Sequence, residues 1–103
     1  CGNTNVILDK MVETRADSLE LDYLTDINKA HDLMKDKTTF VGNIDPSGVL
    51  ALGNVNDVIK ATKNLLDVFS DTPRFILCSG CAIPPSAPSE NIKALIETAR
   101  NYR

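Results

Sequence analysis

The sequence has little that is typical of a membrane, nucleic-acid-binding or secreted protein. It has no tryptophan, and none of its apolar stretches approaches the roughly 20 residues that span a bilayer. Its 11 Lys and Arg residues against 14 Asp and Glu residues give a net charge of −3 without a long run of one sign. We therefore expect a globular protein that binds neither nucleic acid nor a membrane.

Cysteine and histidine are also scarce. The odd number of cysteines, with no recognisable secretory start, favours reduced thiols in a cytoplasmic protein over a disulfide framework. The sequence begins with Cys1 rather than Met, and we expect that a preceding segment has been removed. The one histidine, His31, lies in the middle of a predicted helix and is expected to be a surface residue.

With 103 residues and 43% hydrophobic side chains, the chain is long enough to bury one small core. Apolar spacing and capping residues predict helices that alternate with strands. The helices are predicted over residues 3–14, 26–37, 54–70 and from 88 onwards, and the strands over residues 18–23, 38–41 and 74–78. Residues 43–48 have the composition of a turn, and the apolar run of the third strand predicts burial on both of its faces.

Strict alternation of helices and strands implies parallel strands joined by right-handed crossovers. Both an open doubly wound sheet and part of a (β/α)8 barrel have this order. A complete barrel needs about 250 residues. Because the first predicted helix has no strand before it, we expect part of a TIM barrel, with about three βα units and a leading helix.

In either architecture, functional residues lie at the carboxyl ends of the strands. Polar or thiol-bearing residues follow all three predicted strands, and Cys1 joins them if a missing strand ends just before it. The candidates are Asp22, Tyr23, Asn43, Asp45, Cys78 and Cys81. Asp22 and Asp45 could instead cap the helices that follow them. The spacing of Cys78 and Cys81 also occurs in redox pairs, but such pairs open directly into a helix, whereas prolines follow here.

Five separated motifs cover nearly the whole chain. They are Cys1-Gly2-Asn3-Thr4, Leu21-Asp22-Tyr23, Gly42-Asn43-Ile44-Asp45-Pro46, Gly80-Cys81-Ala82-Ile83-Pro84-Pro85 and Pro88-Ser89-Glu90-Asn91-Ile92-Lys93-Ala94-Leu95. In this order they resemble the C-terminal part of the uroporphyrinogen decarboxylase superfamily, which includes corrinoid-dependent methyltransferases. The resemblance implies a TIM-barrel enzyme of which residues 1–103 are a C-terminal fragment.

The resemblance also implies a zinc site. In the methyltransferase branch, a His-x-Cys pair and a later Cys hold Zn²⁺, which activates coenzyme M or a related small thiol for methyl transfer from a methylcorrinoid on a partner protein. Cys1 matches the first cysteine, with the His two residues upstream, and Cys81 matches the later one, with Cys78 as the alternative ligand. Three protein ligands leave the fourth zinc position to the substrate thiol, which zinc deprotonates at neutral pH. The residues expected to contact the substrate are Asp22, Tyr23, Asn43 and Asp45.

Two other functions remain open. One is a decarboxylase-like lyase of porphyrin biosynthesis without zinc, although that branch typically has His where this chain has Cys81. The other is a non-catalytic binding or assembly fragment. Part of a barrel leaves strand edges and the inner sheet face uncovered. We therefore expect the isolated chain to be inactive, and to associate with itself or with the N-terminal remainder of the barrel.

Overall fold

Three parallel strands form the centre of the structure, a computed structural model that describes residues 2–102. The strands are Ser18–Glu20 (β1), Thr39–Ile44 (β2) and Phe75–Ser79 (β3), and β2 lies in the middle. The α-helices are Leu8–Glu13 (α1), Ile27–Met34 (α2), Val55–Val68 (α3) and Ser89–Asn101 (α4). A 3₁₀ helix, Asn5–Ile7, precedes α1, and a π-helix, Pro46–Ala51, follows β2. The predicted α/β class and the parallel strand order are confirmed.

Two strand boundaries differ from the prediction. β1 ends at Glu20 rather than at residue 23, because the Asp22 carboxylate accepts the N–H of Leu24 at 2.9 Å and closes a turn there. β2 runs through Gly42 to Ile44. Gly42 has a φ of +149°, and a Cβ atom there would lie 2.9 Å from the carbonyl oxygen of Leu21. This glycine therefore permits the close approach of the two strands and does not end β2.

The π-helix lies where a turn was predicted. Asp45 caps its start by accepting the N–H groups of Ser47 and Gly48 at 3.1 and 2.9 Å. At its other end, the buried Asn91 side chain of α4 donates to the carbonyls of Leu50 and Gly53, both at 2.9 Å. The segment is thus stabilised by a helix distant in sequence, which a local turn pattern does not reveal.

The aromatic core lies on one face of the sheet. Phe40 of β2 stacks on Phe69, the residue after α3, with ring centroids 4.5 Å apart, and Phe69 stacks on Phe75 of β3 at 4.9 Å. Side chains alternate between the two faces of a strand, so Ile76 points away from this core. Ile76 is 55% exposed. The prediction that both faces of the third strand are buried was therefore wrong.

Ile76 belongs to a row of side chains on the opposite face. The strand register places it beside Val41, and Val41 beside Glu20. We call Glu20, Val41 and Ile76 the inner-face row. Val41 is half-buried and the other two side chains are exposed, as expected for the inner face of part of a barrel.

His31 was expected at the surface, and the structure places it there only in part, with most of its side chain covered. Its side chain is 15% exposed, and its Nε2 atom lies 2.7 Å from Oδ1 of Asp71. The ring packs edge-on against Phe69, with centroids 5.5 Å apart. Both partners come from the end of α3 or just beyond it, so the spacing within α2 could not reveal them.

Over residues 2–102, no helix is both long and apolar enough to cross a bilayer.

Candidate active site at the carboxyl ends of the strands

The carboxyl ends of the three strands meet at one place. The N–H of Gly80, just after β3, donates to the carbonyl of Ile44 at the end of β2 at 2.8 Å. A Cβ atom on Gly80 would overlap the backbone of Tyr23, which follows β1. Only glycine fits there without a shift of the backbone. Because Gly80 has no side chain, the ends of the three strands can approach one another this closely.

A cavity of about 340 Å³ opens between the ends of β1 and β3. We call it the mouth cavity. Its lining residues are Glu20, Leu21, Asp22, Cys78, Ser79, Gly80, Cys81 and Ala82. The fold therefore brings together three of the predicted site residues, which are Asp22, Cys78 and Cys81.

The two cysteines of the mouth cavity differ in state. Cys78 is a free thiol of intermediate exposure, whereas Cys81 is disulfide-bonded. The expectation of reduced thiols was therefore wrong for Cys81. That expectation used the odd number of cysteines and the absence of a secretory start, neither of which determines which sulfur atoms meet in the fold.

Asp22 is a buried, ionised carboxylate in the wall of this cavity. It is 7% exposed, and Oδ2 accepts the N–H of Gly2 at 2.8 Å while Oδ1 accepts the N–H of Leu24 at 2.9 Å. The bond from Gly2 contributes most, and together with the bond from Leu24 it holds the pKa of Asp22 below its usual value. Burial alone would raise that pKa, because it disfavours the charged form. Asp22 thus closes the turn after β1 and also places negative charge at the cavity.

The other predicted substrate residues lie beside a second cavity. Tyr23, Asn43 and Asp45 line a space of about 280 Å³ that also reaches α2 and α3. The Asn43 amide donates to the carbonyls of Asp22 and Thr25, at 3.1 and 3.3 Å, and holds the loop after β1. The Asp45 carboxylate caps the π-helix, the alternative role considered for it. Tyr23 is 42% exposed. Contact of these three residues with a substrate remains a prediction.

The structure does not test the predicted metal site. Cys1 lies outside the described residues. Within residues 2–102, no group of three or more His, Cys, Asp or Glu side chains is arranged to hold a metal ion. Of the predicted metal ligands, the described part of the chain contains Cys81 and the alternative Cys78, which line the mouth cavity together with Asp22.

Asn5 was missed by the sequence analysis. Its Nδ2 atom donates to the carbonyl of Leu24 at 3.0 Å, and its Oδ1 atom accepts the N–H of Asp26 at 2.8 Å. Both partners are about twenty residues away in the sequence, and the local pattern around Asn5 gives no sign of them.

The sequence profile described as Uroporphyrinogen decarboxylase (URO-D) matches residues 1–102. The chain is 35% identical over 103 residues to a methylcobamide:CoM methyltransferase of Methanosarcina acetivorans, matching 100% of this chain and 29% of that protein. It is 30% identical over 95 residues to a uroporphyrinogen decarboxylase of Coxiella burnetii, matching 92% of this chain and 26% of that protein.

Among solved structures, a methyltransferase from Methanosarcina mazei superposes with a TM-score of 0.85 at 27% identity, which covers 99% of this chain and 29% of that one. The chain thus spans less than a third of the length of these relatives.

Proposed function

Because this chain belongs to the uroporphyrinogen decarboxylase family, we propose that it forms the C-terminal part, residues 1–103, of a TIM-barrel methyltransferase. The complete protein would transfer a methyl group from a methylated corrinoid protein to a small thiol such as coenzyme M. Two relatives, 35% and 37% identical, are named methylcobamide:CoM methyltransferases. The structural observation that carries the proposal is the position of Cys81 in the mouth cavity, beside Cys78 and Asp22.

Once reduced, the sulfur atoms of Cys78 and Cys81 in the mouth cavity would suit a zinc ion, since thiolates are ligands that zinc commonly takes in proteins. Cys81 and Cys1 would hold the ion, with Cys78 as the alternative to Cys81, and we expect a histidine two residues before Cys1 as the third protein ligand. When bound, zinc lowers the pKa of the substrate thiol, so that the thiol is deprotonated and its sulfur is nucleophilic at neutral pH.

The remaining residues of the site would bind and orient the substrate. Asp22 is ionised and fixed by two backbone hydrogen bonds, so it offers a rigid acceptor at the cavity wall. Tyr23, Asn43 and Asp45 border the second cavity next to it. The corrinoid protein would approach this end of the barrel, and the N-terminal remainder of the barrel would cover the inner-face row. The cytoplasm is the expected location.

Paired cysteine variants test the proposal. We expect one zinc ion per complete protein, purified under reducing conditions so that Cys81 is available as a thiolate. Cys81→Ala should lose the zinc and methyl transfer together, because one of three protein ligands is removed. Cys78→Ala is the matched control in the same cavity and should retain both. Elemental analysis and an assay of methylated coenzyme M measure the two properties. The reverse pattern, with the loss in Cys78→Ala only, would make Cys78 the ligand, and full activity of both variants would overturn the proposal.

A decarboxylase-like lyase is the second candidate function. Several relatives matched over 95 residues are uroporphyrinogen decarboxylases, at up to 33% identity. A zinc-free protein that decarboxylates a porphyrinogen and tolerates Cys81→Ala would favour this function. A protein with neither activity that still binds a partner would favour the non-catalytic alternative.

A further inference from the structure

A cavity of about 620 Å³ lies at the amino ends of β1 and β2, at the opposite end of the sheet from the mouth cavity. We call it the amino-end cavity. Asp17, just before β1, and Thr38, just before β2, both line it. Its volume falls within the range of about 300–1,000 Å³ that is usual for small-molecule sites. Because the catalytic residues of a TIM barrel lie at the carboxyl ends of the strands, this cavity is separate from the candidate active site.

Part of the lining of the amino-end cavity is apolar. Val12 of α1 is 8% exposed, and Leu33 of α2 is half-buried. Ala16, between α1 and β1, is also half-buried and adds a third apolar side chain. We call Val12, Ala16 and Leu33 the apolar wall. It can receive the apolar part of a ligand, because contact with it removes apolar surface from water.

Side chains of both charges complete the lining. They are the carboxylates of Asp9, Glu13 and Asp17 and the cationic groups of Arg15 and Lys37. Glu13 lies 3.6 Å from Lys10, outside the cavity. Within residues 2–102, the side chains of Asp9, Arg15, Asp17 and Lys37 make no hydrogen bond or ion pair. Positive and negative groups thus border one cavity without pairing with each other, so both are available to a ligand.

The backbone at Arg15 is unusual for an arginine. Its φ is +64°, a conformation that L side chains rarely adopt. Its N–H donates to the carbonyl of Val12 at 3.2 Å, just beyond the end of α1. Glycine is the usual residue in the left-handed conformation after a helix. An arginine at a position whose backbone suits glycine indicates a role for the guanidinium group.

We propose that the amino-end cavity binds an α-amino acid with an apolar side chain. The ligand carboxylate would bind Arg15 and Lys37, since a guanidinium group matches the geometry of a carboxylate. The ligand ammonium group would bind Asp9 and Asp17, and its side chain would lie against the apolar wall. A ligand of one charge would leave one pair of these groups without a partner. The proposal depends on neither the metal site nor the proposed reaction.

Calorimetric titration of the complete protein with L-leucine tests this proposal. Two compounds that each lack one charged group serve as comparisons. Isocaproate lacks the ammonium group of leucine, and isopentylamine lacks its carboxylate. Each should bind at least about tenfold more weakly than L-leucine, because charge-assisted hydrogen bonds are lost. L-leucine should also raise the melting temperature, since it binds the folded state.

Two variants identify the groups that bind the ligand. Arg15→Gly removes the guanidinium group and places glycine where the backbone suits it, so this variant should fold. It should weaken L-leucine binding at least about tenfold and leave isopentylamine binding unchanged. Asp17→Asn should weaken binding of L-leucine and isopentylamine but not of isocaproate. The control is Arg74→Gln, which removes an exposed cation at the amino end of β3, outside the cavity lining. It should bind L-leucine as the wild type does.

Three results would overturn the proposal. The first is the absence of L-leucine binding to the wild-type protein. The second is L-leucine binding that neither Arg15→Gly nor Asp17→Asn weakens, because the ligand would then lie elsewhere. The third is an equal loss in Arg74→Gln, since the effect would then follow net charge rather than the cavity.

Discussion

At the scale of single residues, the contact between His31 and Asp71 joins α2 to the chain beyond α3. The hydrogen bond to His31, and then the charges of His31 and Lys35, hold the pKa of the Asp71 carboxyl below its usual value. The Asp71 side chain is 58% exposed, so solvent screens the pair, and its effect on stability is modest.

The depressed pKa of Asp71 predicts how stability depends on pH. The ionised carboxylate stabilises the fold above its unfolded-state pKa, about 3.9, and this contribution is lost as the pH falls through the lower folded-state value. The free energy of unfolding of Asp71→Asn should therefore approach that of the wild type as the pH falls below about 4. Urea unfolding over the acidic range measures the difference.

The control is Asp36→Asn, since within the described chain Asp36 makes no hydrogen bond or ion pair. Because no side-chain bond is lost, its free energy of unfolding at neutral pH should differ little from that of the wild type. The predicted role of the pair would be contradicted if the free energies of unfolding of the wild type and Asp71→Asn differed by a constant amount down to the lowest pH at which both fold.

The sequence predicted which residues lie near the site, but not what their side chains bond to. The alternation of helices and strands was sufficient to bring Asp22 and Cys81 to one edge of the sheet. The bonds of Asn43 and Asp45 to backbone groups depend on the local path of the loops. Asn5 could not be found because its partners, Leu24 and Asp26, are neighbours only in the folded chain.

At the scale of elements, α3 begins with a reciprocal capping pair. The Asn54 side chain accepts the N–H of Asp57 at 2.9 Å, and the Asp57 carboxylate accepts the N–H of Asn54 at the same distance. This reciprocal pair satisfies two backbone donors at the start of the helix. In contrast, Pro88 at the start of α4 makes no side-chain capping bond.

The capping pair predicts different costs for two nearby asparagines, Asn54 and Asn56. Asn54→Ala should lower the free energy of unfolding by about 1 kcal/mol, because the N–H of Asp57 loses its acceptor. Asn56→Ala, in the exposed first turn, should be neutral or slightly stabilising, because alanine favours helix more than asparagine does. Chemical denaturation measures both, and equal losses would contradict the assignment of the cap.

Apolar periodicity and capping residues were sufficient to predict the order of the helices and strands. They did not predict the residues at which several of these elements begin and end. Asp22 shortens β1 through a side-chain bond, and Gly42 extends β2 because β1 approaches it closely. The π-helix depends on Asn91, far along the chain. In each case a tertiary contact overrides the local preference that the sequence displays.

At the scale of the whole molecule, the sheet is covered by the aromatic core on one face and exposed at the inner-face row on the other. Ile76 is the exposed apolar residue that β3 contributes to that row. An exposed apolar sheet face of this kind favours association. We therefore predict that the 103-residue chain forms oligomers through this face in the absence of the remainder of the barrel.

Ile76→Thr should weaken this association by about tenfold or more, since burial of an isoleucine side chain contributes about 1.5–3 kcal/mol. Threonine is also β-branched and preserves the strand. Leu52→Thr is the control, because Leu52 is 84% exposed but lies outside the sheet. Sedimentation equilibrium measures the oligomeric state. Wild-type chain that stays monomeric at all measurable concentrations would contradict the prediction.

The direct packing of Gly80 on the backbone of Tyr23 couples the movements of the two segments. A molecule that presses on Tyr23 from the solvent also displaces the peptide next to Cys81, because no side chain lies between the two backbones to absorb the movement. The bond from Gly80 to Ile44 passes the same displacement to the middle strand. We therefore expect the ends of the three strands to move together, so that a displacement of Tyr23 also moves the backbone beside Cys81.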